Sequence, residues 1–199
     1  MKLYLSSQSP RRRALLAELG VPFEALATEV DETPLLAEDA GDYVSRLALA
    51  KARAGLALLS PADADVWVLG SDTTVVAEGA ILEKPLDYDD FRRMMRLLSG
   101  RTHQVMTAVS LVSTDLCLNQ LVVTDVTFAD LSEAQLEAYW RSGEPQDKAG
   151  GYAIQGLASI FVSKVEGSYS AVVGLPMRET ALLLSQAGFS LWNGALSSV

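Results

Sequence analysis

The chain is poor in the residues that build several common kinds of site. Its 199 residues include one cysteine, Cys117, and one histidine, His103. A single cysteine excludes an intramolecular disulfide and a cluster of thiolate metal ligands. A Ser-His-Asp triad or a histidine-rich zinc site would have to be built around His103, and its place at the start of a predicted strand favours a structural role.

Long apolar runs and the familiar nucleotide-binding motifs are also missing. No apolar run reaches the roughly 20 residues that span a bilayer, and the N-terminus lacks the apolar segment of a signal peptide. We therefore expect a cytoplasmic protein without a membrane partner. Neither GxxxxGK[ST] nor GxGxxG occurs in the sequence, which excludes the common NTPase and dinucleotide-binding motifs.

The overall charge is acidic, with a formal net charge of −9. This balance argues against a protein that binds nucleic acid by neutralising phosphates. The basic residues occur in short local groups, which suit a small polyanion bound in one cleft. Hydrophobic residues make up 49% of the chain and charged residues 21%, so we expect a single globular domain over residues 1–199.

Helical and strand patterns are mixed along the chain and predict an α/β fold, a mixed sheet with flanking helices. We predict helices at residues 10–19, 40–59, 87–98, 132–142 and 177–187, and strands at residues 2–5, 23–28, 66–69, 103–113, 116–129 and 159–166. The tail from Phe189 onward lacks helix signals, and we expect it to be loosely packed.

The start of the first predicted helix breaks an electrostatic rule. Ser9 is a good N-cap and Pro10 a good first helical residue, so arginines 11–13 fall in the first turn. Cations are unfavourable there because the helix dipole is already positive. A strand, a polar loop and a helix N-terminus with free N–H groups predict a phosphate site. The alternative is three solvated surface arginines.

Two further residues stand out in the predicted elements. Lys51 lies in the middle of the apolar face of helix 40–59, where it must snorkel to solvent, pair with a carboxylate or meet a ligand. Asp72 directly follows the buried strand 66–69, where a carboxylate is well placed to hold a metal or a water. The alternative for Asp72 is a turn cap.

The glycine-rich loop at residues 147–156 could allow a ligand to approach its backbone closely. It contains Lys148 and Gln155, and the amide of Gln155 could pair with the edge of a base. Lys84 precedes a proline that stiffens its backbone. Taken singly, these residues are only weak indications of a ligand-binding site.

Taken in order, the motifs of this chain resemble the Maf family of nucleotide pyrophosphatases, also called septum formation inhibitor proteins. They are SQSPRR at 7–12, GSDT at 70–73, EKP at 83–85, LSGRTH at 98–103, GEPQDKAG at 143–150, IQG at 154–156, GSY at 167–169 and VVGLP at 172–176. The similarity covers nearly the whole chain. It is greatest to the branch that acts on dTTP and UTP, whose pattern appears here as Arg11, Thr73 and Gln155.

The resemblance implies a two-lobed, ITPase-like fold around a nucleotide-binding cleft, and hydrolysis of a nucleoside triphosphate to the monophosphate and pyrophosphate. It also implies a homodimer. Asp72 matches the proton acceptor; Lys51 and Lys84 match catalytic residues; Ser7, Arg11, Arg12, Thr73, Lys148 and Gln155 match substrate-binding or specificity residues. Glu32 and Asp72 match the residues that would hold Mg²⁺ or Mn²⁺. With an ordinary pKa near ~3.9, Asp72 would be a weak base that needs a metal-activated water.

Two other functions remain open from the sequence. One is that of another Maf branch, which prefers 7-methyl-GTP or other modified nucleotides. The other is a non-catalytic regulator of cell division that binds a nucleotide or a protein partner. The intact Asp72, Lys51 and Lys84 argue against a non-catalytic protein.

Overall fold

Seven strands form one mixed sheet in the computed structural model, which describes residues 1–60 and 65–196. The strands are β1 (Lys2–Ser6), β2 (Phe23–Leu26), β3 (Val66–Ala77), β4 (Ala80–Leu82), β5 (Thr102–Val112), β6 (Cys117–Phe128) and β7 (Val162–Glu166). Their order is β2-β1-β3-β5-β6-β7, with β4 paired to β3 off this path.

The pairing explains why the sheet is mixed. β1 runs parallel to both β2 and β3, with Ser6 opposite Gly70 at the end of its pairing with β3. β4 is antiparallel to β3, and β7 is antiparallel to β6. A tight turn joins β5 to β6, and in it the Ser113 N–H donates to the Leu116 carbonyl over 2.9 Å. The predicted α/β class is confirmed.

Six α-helices occur among the described residues, and side-chain caps begin the first four. They are α1 (Pro10–Glu18), α2 (Ala40–Ala57), α3 (Tyr88–Leu98), α4 (Glu133–Arg141), α5 (Tyr169–Val173) and α6 (Met177–Gln186). Ser9, Asp39, Asp87 and Ser132 each accept a backbone N–H at the start of α1 to α4, which satisfies donors that the helix itself leaves open. Of the helices described, none has the length and apolarity that crossing a membrane requires.

The chain divides into two compact units. The first comprises the described residues of Met1–Asp72, Thr107–Val122 and Gly174–Val199, and the second comprises Thr73–Met106 and Val123–Val173. Leucines of β1, α1, β3 and α6 form the main core of the first unit. The second unit contains a group of aromatic contacts that includes His103, Phe128 and Tyr152. The single domain over 1–199 stays a prediction.

Several predicted boundaries are wrong. β3 continues to Ala77 instead of ending at Leu69, because its polar residues lie within the sheet. β2 ends at Leu26, and β7 begins at Val162 after a short 3-10 helix, Leu157–Phe161.

The tail is not loosely packed at its start. Phe189 and Leu191 are buried in the core of the first unit, and Leu191 forms a β-bridge with Leu196. The prediction of loose packing was wrong because it considered only the absence of helix signals. The apolar side chains of Phe189 and Leu191 pack into the core without a helix.

Candidate active site

The loop between β1 and α1 has the predicted form of a capped helix N-terminus. Ser9 Oγ accepts the Arg12 N–H over 3.4 Å, and Pro10 is the first helical residue. The buried Ser7 accepts the Ser9 N–H through its Oγ over 3.2 Å. No acidic residue lies in the first turn of α1, so the positive helix end and its arginines lack a carboxylate from that turn.

The three arginines of this turn differ in their surroundings. Arg13 is exposed, whereas Arg11 and Arg12 are partly buried. Arg12 Nε donates to the Gly174 carbonyl over 2.9 Å, and Ser71 Oγ donates to the same oxygen over 3.0 Å. Burial lowers the pKa of Arg12, while the charge of Asp72 opposes that shift. Arg12 is therefore not the solvated surface residue that the alternative interpretation required.

Lys51 joins two carboxylates. Its Nζ lies 2.6 Å from Asp72 Oδ1 and 2.6 Å from Glu32 Oε1. The Lys51 side chain is only 15% exposed and that of Asp72 10%, whereas that of Glu32 is 47% exposed. Of the three possibilities that the sequence left for Lys51, pairing with a carboxylate is the one found. The structure thus brings together three of the residues predicted to form the site.

Close packing of α2 on β3 sets the position of Lys51. A Cβ on Gly70 would lie 2.3 Å from the Ala48 carbonyl oxygen and 2.6 Å from the Ala52 nitrogen, both backbone atoms of α2. Only glycine allows this approach. Ser6 Oγ also donates to the Lys51 carbonyl over 2.5 Å. The sequence analysis did not identify Ser6 or Gly70, although Gly70 within an apolar strand signals close backbone approach.

Asp72 lies inside β3, not after it, which corrects the predicted position. It is two residues beyond Gly70, where the pairing of β1 with β3 ends. Asp72 therefore lies beside the end of β1 and not beyond the end of its own strand.

Burial changes the acidity of Asp72. Desolvation raises the pKa of Asp72 above its ordinary value, and the positive charges of Lys51 and Arg12 oppose the rise. The expectation of an unperturbed pKa is wrong, because the sequence did not reveal that Asp72 is buried. A raised pKa makes Asp72 a stronger base than an ordinary aspartate.

Side chains of α2 hold the acidic loop that carries Glu32. Arg46 binds Glu38 through two hydrogen bonds, Nε to Oε1 over 2.6 Å and Nη2 to Oε2 over 2.7 Å. Tyr43 Oη donates to the Glu32 carbonyl over 3.0 Å. The sequence analysis missed these supports, because nothing in the spacing of Arg46 and Glu38 distinguishes them from a solvated pair.

The carboxylate pair fits a divalent cation of the magnesium type. Two acidic side chains already converge on one positive charge, the ammonium of Lys51. In the part of the chain that the structure describes, no group of three or more His, Cys, Asp or Glu side chains could form a complete protein cage. Mg²⁺ uses one or two carboxylates together with water and substrate phosphates, so the donors present are sufficient for such an ion.

The other four predicted residues belong to the second unit. Thr73 is partly buried, whereas Lys84 and Gln155 are exposed. The side chain of Lys148 is largely buried and pairs with Asp147. The Gly150 N–H donates to the Glu83 carbonyl over 3.0 Å, which joins the segment of Lys84 to that of Lys148. The grouping of these four residues with those of the first unit stays a prediction.

The family model described as Maf-like protein matches residues 2–187. This chain belongs to the Maf family. The family predicted from the order of its motifs is thereby confirmed, and Arg12, Lys51 and Asp72 of this Maf protein lie within the matched residues.

Curated relatives are similar over most of their length. Proteins named dTTP/UTP pyrophosphatase from Pseudoalteromonas atlantica and Vibrio parahaemolyticus are 53% and 52% identical to this Maf protein, over 92% and 94% of its chain and 96% and 97% of theirs. One from Colwellia psychrerythraea is 54% identical over 94% of this chain and 89% of its own. Among solved structures, a Staphylococcus aureus Ham1 protein is similar at 12% identity, with a TM-score of 0.43 over 65% of this chain and 73% of that chain.

Proposed function

We propose that this Maf protein hydrolyses dTTP and UTP to the nucleoside monophosphate and pyrophosphate. The observation that carries the proposal is the pairing of Lys51 with Asp72 and Glu32, which brings two carboxylates and an ammonium together in the unit that holds the arginine-rich start of α1. Relatives about half identical over most of the chain are named dTTP/UTP pyrophosphatase, which supports this substrate class.

Asp72 acts as the proton acceptor in this proposal. A water oxygen attacks the α-phosphorus, its proton passes to the Asp72 carboxylate, and the bond from the α-phosphorus to the bridging oxygen breaks. Pyrophosphate then leaves with the electron pair of that bond. The burial that raises the pKa of Asp72 favours the proton transfer, because a stronger base takes the proton more readily.

The first turn of α1 binds the phosphates. Its open N–H groups and positive dipole end favour an anion, and Arg11, Arg12 and Ser7 lie in or beside that turn. Lys51 offsets the negative charge that develops on the leaving pyrophosphate. By the family resemblance, Lys84 and Lys148 bind the same triphosphate.

Asp72 and Glu32 would hold Mg²⁺ or Mn²⁺. Such an ion supplies charge neutralisation and a more acidic water when it is bound. The Lys51 ammonium contacts both carboxylates and offsets one of their two negative charges, which leaves a net negative charge for a divalent cation.

The choice of base is assigned to Gln155, together with Arg11 and Thr73. The side-chain amide of Gln155 offers both an acceptor and a donor, which complement the edge that uracil and thymine share. Cytosine exchanges donor and acceptor on part of that edge, so polar groups of the Gln155 amide would be left unpaired. Unpaired polar groups of this kind discriminate strongly between substrates. The exposure of Gln155 keeps its amide available to a base.

A panel of nucleoside triphosphates tests the substrate class. The purified protein is assayed with UTP, dTTP, CTP, ATP, GTP and 7-methyl-GTP, each with Mg²⁺ or Mn²⁺, and the products are identified by chromatography. We expect UTP and dTTP to give the monophosphate and pyrophosphate, with CTP and the purine nucleotides much slower. Preference for 7-methyl-GTP would assign the chain to the other Maf branch, and no turnover of any nucleotide would favour a non-catalytic regulator.

A further inference from the structure

Glu144 binds three donors at the start of a short 3-10 helix, Glu144–Asp147. Its Oε1 accepts the Tyr139 hydroxyl over 2.8 Å and the Ala158 N–H over 3.4 Å. Its Oε2 accepts the Leu157 N–H over 3.0 Å. One carboxylate therefore connects α4 to the segment that follows Gln155.

Tyr139 links Glu144 to the backbone that precedes Gln155. Its hydroxyl oxygen accepts the Ala153 N–H over 3.1 Å while its hydrogen goes to Glu144. Burial and the nearby carboxylate of Glu144 raise the pKa of Tyr139, so its hydroxyl remains a donor. Glu144 and Tyr139 thus bond the backbone both before and after Gln155, and all of these residues belong to the second unit.

Residues 153–156 form a turn that has Gln155 near its end. The Gly156 N–H donates to the Ala153 carbonyl over 2.9 Å. A Cβ on Gly156 would lie 2.1 Å from Glu144 Oε2, so the carboxylate lies directly against the backbone of the turn. The Gln155 side chain is exposed, which means that its position depends on how this backbone is held rather than on packing.

We infer that Glu144, with Tyr139, is a positioning residue that sets base preference by fixing the turn that carries Gln155. The inference rests on the proposed function, in which Gln155 contacts the base. Glu144 acts through Gln155 and leaves the proton transfer at Asp72 unchanged. Its removal should therefore alter discrimination between bases more than it alters the rate on the preferred base.

The test compares kcat/KM for UTP and CTP in Glu144→Ala and Glu144→Gln. We expect Glu144→Ala to lower the UTP-over-CTP ratio about tenfold, a change equivalent to about 1.4 kcal/mol, mainly through a higher KM for UTP with little change in kcat. Glu144→Gln keeps an amide oxygen as acceptor and should recover part of the ratio. Tyr139→Phe should lower the ratio as well, because it removes the acceptor of the Ala153 N–H.

Glu137→Ala is the matched control. Glu137 lies on the same helix, α4, and its exposed carboxylate pairs with Arg141 instead of with the turn. This variant loses the same charge and should keep the wild-type ratio. Amide hydrogen exchange without nucleotide gives a second readout: the Leu157 N–H should exchange faster in Glu144→Ala and at the wild-type rate in Glu137→Ala.

The double variant Glu144→Ala/Gln155→Ala tests whether Glu144 acts through Gln155, and the single variants show whether the inference or the proposed function has failed. If Glu144 acts through Gln155, the effect of Glu144→Ala on the ratio disappears in the Gln155→Ala background. A ratio that responds to Gln155→Ala but not to Glu144→Ala would overturn the inference alone. A wild-type protein without preference for UTP would overturn both it and the proposed function. If Glu144→Ala does not fold, Glu144→Gln and Tyr139→Phe carry the comparison.

Discussion

The ammonium of Lys51 lies 2.6 Å from Asp72 Oδ1, between residues 21 positions apart in the chain. Both side chains are largely buried, so each neutralises the other where water contributes little. Glu32 adds a second carboxylate to the same ammonium. The two carboxylates converge on a single position where a cation is favourable, and the Lys51 ammonium occupies that position.

Lys51→Met should increase the affinity of the nucleotide-free protein for Mn²⁺. The Lys51 ammonium and a divalent cation compete for the same two carboxylates, so its removal exposes their negative charge to the metal. A calorimetric or electron paramagnetic resonance titration with Mn²⁺ measures the change, which we expect to be about tenfold.

Arg53→Met is the control for this measurement, since Arg53 is exposed on the same helix and its loss changes the net charge equally. Unchanged or weaker Mn²⁺ binding by Lys51→Met would show that Glu32 and Asp72 do not hold the metal.

Gly70→Ala should destabilise the protein by about 3 kcal/mol or more. The new methyl group would overlap backbone atoms of α2, at 2.3 Å from the Ala48 oxygen, and the helix would have to move away from β3. Gly55→Ala meets side-chain atoms of Val68 and Ser6 instead, at 2.8 and 3.0 Å. We expect a smaller loss there, and urea denaturation of the two variants compares them. Equal losses would contradict the close approach at Gly70.

The sequence predicted the cap of α1, the anomalous place of Lys51 and the mixed sheet, because these depend on local patterns. It missed the extent of β3, because the apolar run ends at Leu69 while the backbone of residues 71–73 continues the strand. The contact of Lys51 with Asp72 was not predictable, because it depends on how closely α2 packs at Gly70. The raised pKa of Asp72 was not predictable either, because it depends on burial by residues that are distant in the sequence.

His103 should make the stability of the protein depend on pH. Burial lowers the pKa of His103 to about 4, and in the described part of the chain Nδ1 has no hydrogen-bond partner while Nε2 contacts the Tyr152 hydroxyl over 2.8 Å. The unfolded chain binds the proton near pH 6.5, so stability is lost as the pH falls from about 6.5 to about 4.

His103→Gln removes this titration. Between pH 7 and pH 5, the wild type should lose about 2 kcal/mol more unfolding free energy than the variant, as urea denaturation at each pH would show. Other groups titrate alike in both proteins, so their contributions cancel in the difference. An equal loss in the two proteins would mean that His103 is protonated as readily in the folded state as in the unfolded state.

Asp72→Asn should lower kcat for UTP by about 100-fold or more, because an amide cannot accept the proton of the attacking water. The variant should remain folded, with a cooperative melting transition, since the amide retains the shape of the carboxylate. Asp115→Asn is the control, as Asp115 is exposed in the turn between β5 and β6 and should keep full activity. A folded Asp72→Asn with more than half of the wild-type rate would remove Asp72 from the reaction.

Hydrolysis of UTP in ¹⁸O-labelled water, followed by mass spectrometry of both products, tests the central claim most directly. Attack at the α-phosphorus predicts that the label enters UMP and that the pyrophosphate stays unlabelled. In Asp72→Asn the labelled UMP should form more slowly by about 100-fold or more. Label in pyrophosphate, or the formation of UDP and phosphate, would contradict the account.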